Sequence, residues 1–127
     1  PEIRRIALRY EKLGARFWMV HPLGDETPAS IREHAAEYSL PGTIVRDPRR
    51  SLARVLGITV TPEVAVVDGR GRLRYRGRID DRFPALGQKR PRATRHDLTE
   101  ALDAVLSGKP VTESRTRAVG CILPKAE

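Results

Sequence analysis

The chain has 127 residues, enough for one domain with a real core and too few for two of ordinary size. Hydrophobic residues make up 39% and charged residues 31%, and the apolar positions recur periodically, which excludes an unfolded polyelectrolyte. Lys and Arg number 24 against 16 Asp and Glu, a formal charge of +8, and lysine stands only at 12, 89, 109 and 125, so the excess is arginine.

That charge favours acidic partners or surfaces without dictating fold or activity. Aromatics are 5%, little material for stacking single-stranded nucleic acid. No run approaches the length of a membrane helix, so no membrane partner is expected, and no apolar signal core opens the chain. Because Pro1 leads straight into a helical pattern, the N-terminus reads as cut, with any targeting segment upstream of it. The single cysteine, Cys121, excludes an internal disulfide framework and a Cys-based zinc site within these residues. The compartment stays open between the cytoplasm and an extracytoplasmic location such as the bacterial periplasm.

In chain order, Ile3, Ile6, Ala7, Tyr10 and Leu13 share one helical face, and Gly14 is placed as a left-handed cap. Ala15 to Val20 reads as a buried strand. Thr27 with Pro28 opens a second helix, whose inward stripe is Ile31, Ala35 and Tyr38 and which Pro41-Gly42 stops. Thr43 to Arg46 reads as a brief strand. Asp47-Pro48 precedes a short helix carrying Leu52, Val55 and Leu56, closed by Gly57.

Next come Val60-Thr61-Pro62-Glu63 and two strands, Glu63 to Val67 and Arg72 to Ile79, joined through Gly69 and Gly71 as an antiparallel hairpin. A proline has no N–H for the ladder, so Pro62 belongs at a strand entrance. Arg70, Arg72, Arg74, Arg76 and Arg78 alternate with Leu73, Tyr75 and Ile79, the period of a strand with one wet face. Asp80 to Arg95 is a long loop, and long loops in compact domains are often functional. Thr94 and Asp97 suggest a capping box ahead of a final helix with Leu98, Ala101, Leu102, Val105 and Leu106, ending at Gly108. Residues 109 to 127 read as an irregular tail carrying Cys121, leaving 1 to 108 as the domain.

This order resembles the thioredoxin-like superfamily from just after its active-site cysteine motif. More narrowly, Thr61-Pro62-Glu63, Asp68 with Gly71, the run Tyr75 to Asp81, and Gly120-Cys121 resemble redoxin (AhpC/TSA-like) proteins. The resemblance implies an α/β fold, a thioredoxin-like three-layer sandwich with a mixed sheet flanked by helices and truncated at its N-terminus. It implies thiol-disulfide or peroxide-linked antioxidant chemistry on protein thiols, disulfides or peroxide, with no cofactor. Thr61 and Pro62 would be a substrate-docking loop with a cis bond, flanked by Val60; by base rate alone an X–Pro bond is trans. The reactive cysteine, and a central strand carrying it, are expected before Pro1. Without them the polypeptide is expected to be inactive, because exchange needs a thiolate and nothing in residues 1 to 20 supplies one.

Cys121 has two readings: a small packed hydrophobe, or the resolving or disulfide partner of the upstream cysteine. His21, His34 and His96 lack metal-ligand spacing, so no metal site is expected. Arg78, Asp80 and Asp81 read most simply as exposed ion pairs, and alternatively as a network fixing the long loop. The arginine strand raises a nucleic-acid reading, which the absence of interleaved aromatics and of a known motif disfavours. A noncatalytic binding module using the Pro62 loop and the long loop is the alternative to an enzyme. Oligomeric state stays open.

Overall fold

The computed structural model describes residues 2–21, 28–38, 43–47, 49–82 and 87–123. They form a mixed α/β chain of two compact units, one drawn from Pro1–Ala53 and the other from Arg54–Pro124. The described strands make three two-stranded sheets.

In the first unit, helix α1 (Glu2–Glu11) buries Ile6, Ala7 and Tyr10 along the expected stripe. Its end is a Schellman motif, in which Ala15 N–H donates to the Tyr10 carbonyl (3.0 Å) and Gly14 N–H to that of Glu11 (3.1 Å). Gly14 takes φ +102°, a conformation that side chains rarely adopt. Leu13, expected on the buried face, lies past the last helical residue and is exposed.

Strand β1 (Trp18–His21) pairs in parallel with β2 (Thr43–Arg46), from Trp18 opposite Thr43 to His21 opposite Arg46, and helix α2 (Pro28–Tyr38) lies between them in sequence. This corrects the buried strand read from residues 15 to 20. Trp18 is 62% exposed and Val20 is exposed as well, because β1 has one hydrogen-bonded neighbour among the described strands. The cap expected at Thr27 and the stop at Pro41-Gly42 lie outside the described residues, as do the side chains of Ile31, His34, Ala35 and Tyr38.

Asp47 meets its expectation as the signal for helix α3 (Ser51–Leu56). Its buried carboxylate accepts the N–H groups of Leu52 (3.3 Å) and Ala53 (3.0 Å), two of the donors that a helix start leaves without partners. Val55, expected inside, is exposed.

The second unit is built on a hairpin of β4 (Val64–Val67) and β5 (Leu73–Gly77). Asp68 shapes its turn by accepting the backbone N–H groups of Arg70 and Arg72 (2.9 and 3.0 Å), and a bulge falls between Val66 and Val67. Helix α4 (Asp97–Leu106) packs on both strands, and its Leu98, Ala101 and Leu102 form the core with Val66 and Tyr75. Burying each large aliphatic side chain contributes about 2 kcal/mol.

The expected capping box is absent. Thr94 gives its hydroxyl to Asp81, and the N-cap position of α4 is held by His96, whose side chain makes no cap bond. After α4, the segment expected to be irregular forms a bridge at Arg115 to Arg76 and a two-residue strand, β6 (Cys121–Ile122).

Candidate functional site

Two polar assemblies in the second unit meet at β5. The first surrounds Thr61. Val60 and Thr61 form a short strand, β3, that pairs antiparallel with β6, setting Val60 opposite Ile122 and Thr61 opposite Cys121. Leu123 N–H extends the ladder by donating to the Thr59 carbonyl at 2.8 Å. The Thr61–Pro62 bond is cis. Gly120 lies so close that a Cβ there would overlap the Thr61 carbonyl and approach Pro62 N to 3.0 Å. The backbone thus brings the segment around Cys121 onto the loop that holds Val60, Thr61 and Pro62. The Cys121 side chain lies outside the described residues.

Arg76 ties this loop to the rest of the unit. Its guanidinium donates to the Leu56 carbonyl (3.2 Å) and lies 4.0 Å from Glu63, whose carboxylate in turn accepts Thr59 N–H (3.2 Å). Its backbone exchanges bonds with the returning chain: Arg76 N–H donates to Ser114 (3.0 Å) and Thr116 N–H to Arg76 (3.1 Å). One residue therefore fixes the approach to Thr61 with its side chain and the approach to Cys121 with its main chain. Sequence alternation marked Arg76 only as part of a wet face.

The second assembly closes the end of β5. Arg78 Nε donates to Asp97 at 2.7 Å, and the Asp97 side chain is 1% exposed. That bond raises the Arg78 pKa. Tyr75, fully buried, donates its hydroxyl to the Arg78 carbonyl at 2.5 Å. Since a phenol has one proton, the 2.6 Å contact between Tyr75 and Thr116 must have the Thr116 hydroxyl as donor. Thr116 also accepts Arg78 N–H at 3.0 Å. Burial pushes the Tyr75 phenol up to about 12.

Asp81, also buried, accepts the N–H groups of Arg95 (2.9 Å) and Thr94 (2.7 Å) and the Thr94 hydroxyl. The Arg95 amide, then the Thr94 hydroxyl, hold its carboxyl well below the usual range. These bonds bring the two ends of the long loop together. Asp81 is therefore structural and buried, which corrects the reading of exposed ion pairs in favour of the network. Asp80 stays local, accepting Arg82 N–H at 2.9 Å.

Four of the five arginines of the hairpin series are engaged within the molecule. Arg72 and Arg74 both lie 3.2 Å from Asp68, Arg76 faces Glu63 and Arg78 faces Asp97. Such a face offers phosphates little unpaired charge, which weakens the nucleic-acid reading. Among the described residues no three His, Cys, Asp or Glu side chains converge as metal ligands. No described helix is long and apolar enough to cross a membrane. Thr116 carries no sequence signal of its importance, since a threonine in an irregular stretch is commonplace, and Asp97 stood out only as half of the expected capping box, not as the partner of Arg78. Gly120 is the exception, because Gly-Cys belongs to the resemblance.

No family model matches the chain, and neither does any curated protein. Solved structures similar to the chain include two bacterial proteins. One, an uncharacterized conserved protein from Geobacillus kaustophilus, is 27% identical with a TM-score of 0.81 over 95% of this chain and 65% of its own. The other, a hypothetical protein from Sinorhizobium meliloti 1021, is 28% identical with a TM-score of 0.77 over 93% of this chain and 66% of its own. The chain thus spans just under two thirds of each. Both share its mixed α/β arrangement of strands flanked by helices.

Proposed function

We propose that the chain is the second half of a thioredoxin-like, redoxin-type domain acting in thiol-disulfide exchange or peroxide reduction. The observation that carries this reading is the pairing of Thr61 with Cys121, which sets the chain's single cysteine beside the proposed docking loop of Val60, Thr61 and Pro62. A substrate segment would lie against that loop, and Cys121 would be the second thiol. The first thiolate belongs to residues preceding Pro1. It attacks a disulfide sulfur and expels one thiolate, or attacks a peroxide oxygen to give a sulfenic acid and an alcohol or water. Cys121 then displaces the bound thiol as thiolate, or condenses with the sulfenic acid and releases water, and in both cases a disulfide forms.

Insulin reduction and hydroperoxide consumption, measured on a chain extended upstream of Pro1, test this. Cys121→Ser should lower turnover at least about tenfold, as losing the second of two coupled thiols does. Unchanged turnover would return Cys121 to the role of a packed hydrophobe, and an upstream segment without cysteine would defeat the enzyme reading. A noncatalytic binding module is the second reading, favoured by the same β3 edge, which already holds an extended segment of chain.

A further inference from the structure

The returning segment is held unequally along its length. At its start, Ser114 and Thr116 are bonded to the Arg76 backbone, and the Thr116 hydroxyl is locked between Tyr75 and Arg78. Gly77 confirms how tight that seat is, because a Cβ there would lie 2.6 Å from the Thr116 carbonyl oxygen and 2.9 Å from its nitrogen. Beyond it, residues 117–120 run without regular structure, and the chain then meets β3 through two paired residues and the Leu123 bond. Ile122 is 81% exposed, so its side chain adds little apolar burial to that ladder, while Leu123 is half-buried. A two-residue ladder opens at lower free energy than a segment bonded to the core, as Thr116 is through buried Tyr75.

The contact is nevertheless selective. Gly120 lies against the Thr61 carbonyl where any larger residue would collide with backbone rather than with a flexible side chain. Whatever lies on this edge must be extended, able to continue the ladder, and must carry glycine at that position. Strand addition gives affinity through main-chain bonds and specificity through such side-chain constraints.

We infer that residues 117–123 are an exchangeable strap, hinged after Thr116, that occupies the Thr59–Thr61 edge in place of an extended, glycine-containing partner segment. The role of the edge as a docking site rests on the function proposed above. The strap lifts while Thr116 stays seated, and an incoming segment of the chemistry Gly, small residue, β-branched residue takes over the positions of Gly120, Cys121 and Ile122. The partner is a peptide of that pattern.

The probe is a synthetic peptide of residues 117–123 with serine in place of the cysteine, titrated onto the full chain and onto its Leu123→Pro variant, which lacks the N–H that bonds Thr59. The variant should bind the peptide at least about tenfold more tightly than the unsubstituted chain, because its edge is vacated more often. A control peptide with valine for glycine should not bind. Equal affinity for both chains, binding to neither, or indifference to the glycine would each overturn the inference. Hydrogen exchange on the unsubstituted chain decides independently of whether the variant folds: the Leu123 amide, bonded to Thr59, should exchange about tenfold or more faster than those of Arg76 and Thr116. Equal protection would overturn the strap. The peptide has no thiol, so its binding and the redox turnover can fail separately.

Discussion

At the scale of single residues, Tyr75 and Thr116 show how a hydroxyl can matter more than a charge. Tyr75→Phe removes the donor to the Arg78 carbonyl and the acceptor of the Thr116 proton in one step. The loss should be about 1–3 kcal/mol, the usual cost of stranding buried polar groups. Thr116→Val should cost a similar amount. Because both changes dismantle one network, the double variant should fall short of the sum by about 1 kcal/mol, as read from urea midpoints at constant m. Strict additivity would show that the hydroxyls act separately. Neither residue could be singled out beforehand. Tyr75 showed its alternation with arginines and its place at the head of the run Tyr75 to Asp81, neither of which points to its hydroxyl, and the partner of Thr116 lies across the chain, where no local pattern reports it. By contrast the capping role of Asp47 was legible, since a cap acts on donors a few residues away, while Pro48 lies outside the described residues.

At the scale of elements, local grammar carried the α1 stripe short of Leu13, the β2 segment, the β4–β5 hairpin and the α4 stripe short of Leu106, which is exposed, because their periodicities and turn residues are written within each segment. What lay beyond it was set by distant neighbours. Trp18 and Val20 look like buried-strand residues until the number of strands beside β1 is known, and β3 and β6 are too short to read without each other. The resemblance drew attention to Thr61 and Cys121, which the backbone pairs, while alternation alone hid the part Arg76 plays between them. Two glycines separate local from distant demands. Gly14→Ala meets open space and pays only for its positive φ, about 1 kcal/mol. Gly77→Ala, at φ +150°, also drives a Cβ into the Thr116 backbone and should cost about 2 kcal/mol or more. Equal melting points for the two variants would contradict the tight seat described for Thr116.

At the scale of the whole molecule, part of the basic charge lies against carboxylates whose ionised form the fold stabilises, and a net +8 remains. The Arg72 backbone N–H above all, helped by that of Arg70 and by the Arg74 and Arg72 side chains, lowers the Asp68 pKa to about 2, and Asp81 is lowered too. A depressed folded-state pKa gives stability that is fully present above the unfolded value near 4 and is lost as pH falls toward the folded value. Urea midpoints should therefore stay level, as far as these two groups decide, from neutrality to about pH 5, then drop between about pH 4 and pH 2. Asp68→Asn and Asp81→Asn should each flatten that drop, and an unaltered slope in both would remove these carboxylates from the acid transition.

The pairing of β3 with β6 also has a consequence in time. It joins residues about half the chain apart, whereas the hairpin closes across a few residues. Loop closure costs more entropy the longer the loop, so the hairpin and its helix have every reason to form first. During folding, then, the Thr59–Thr61 edge is uncovered before its own strand arrives, and the first extended segment to reach it need not come from the same molecule.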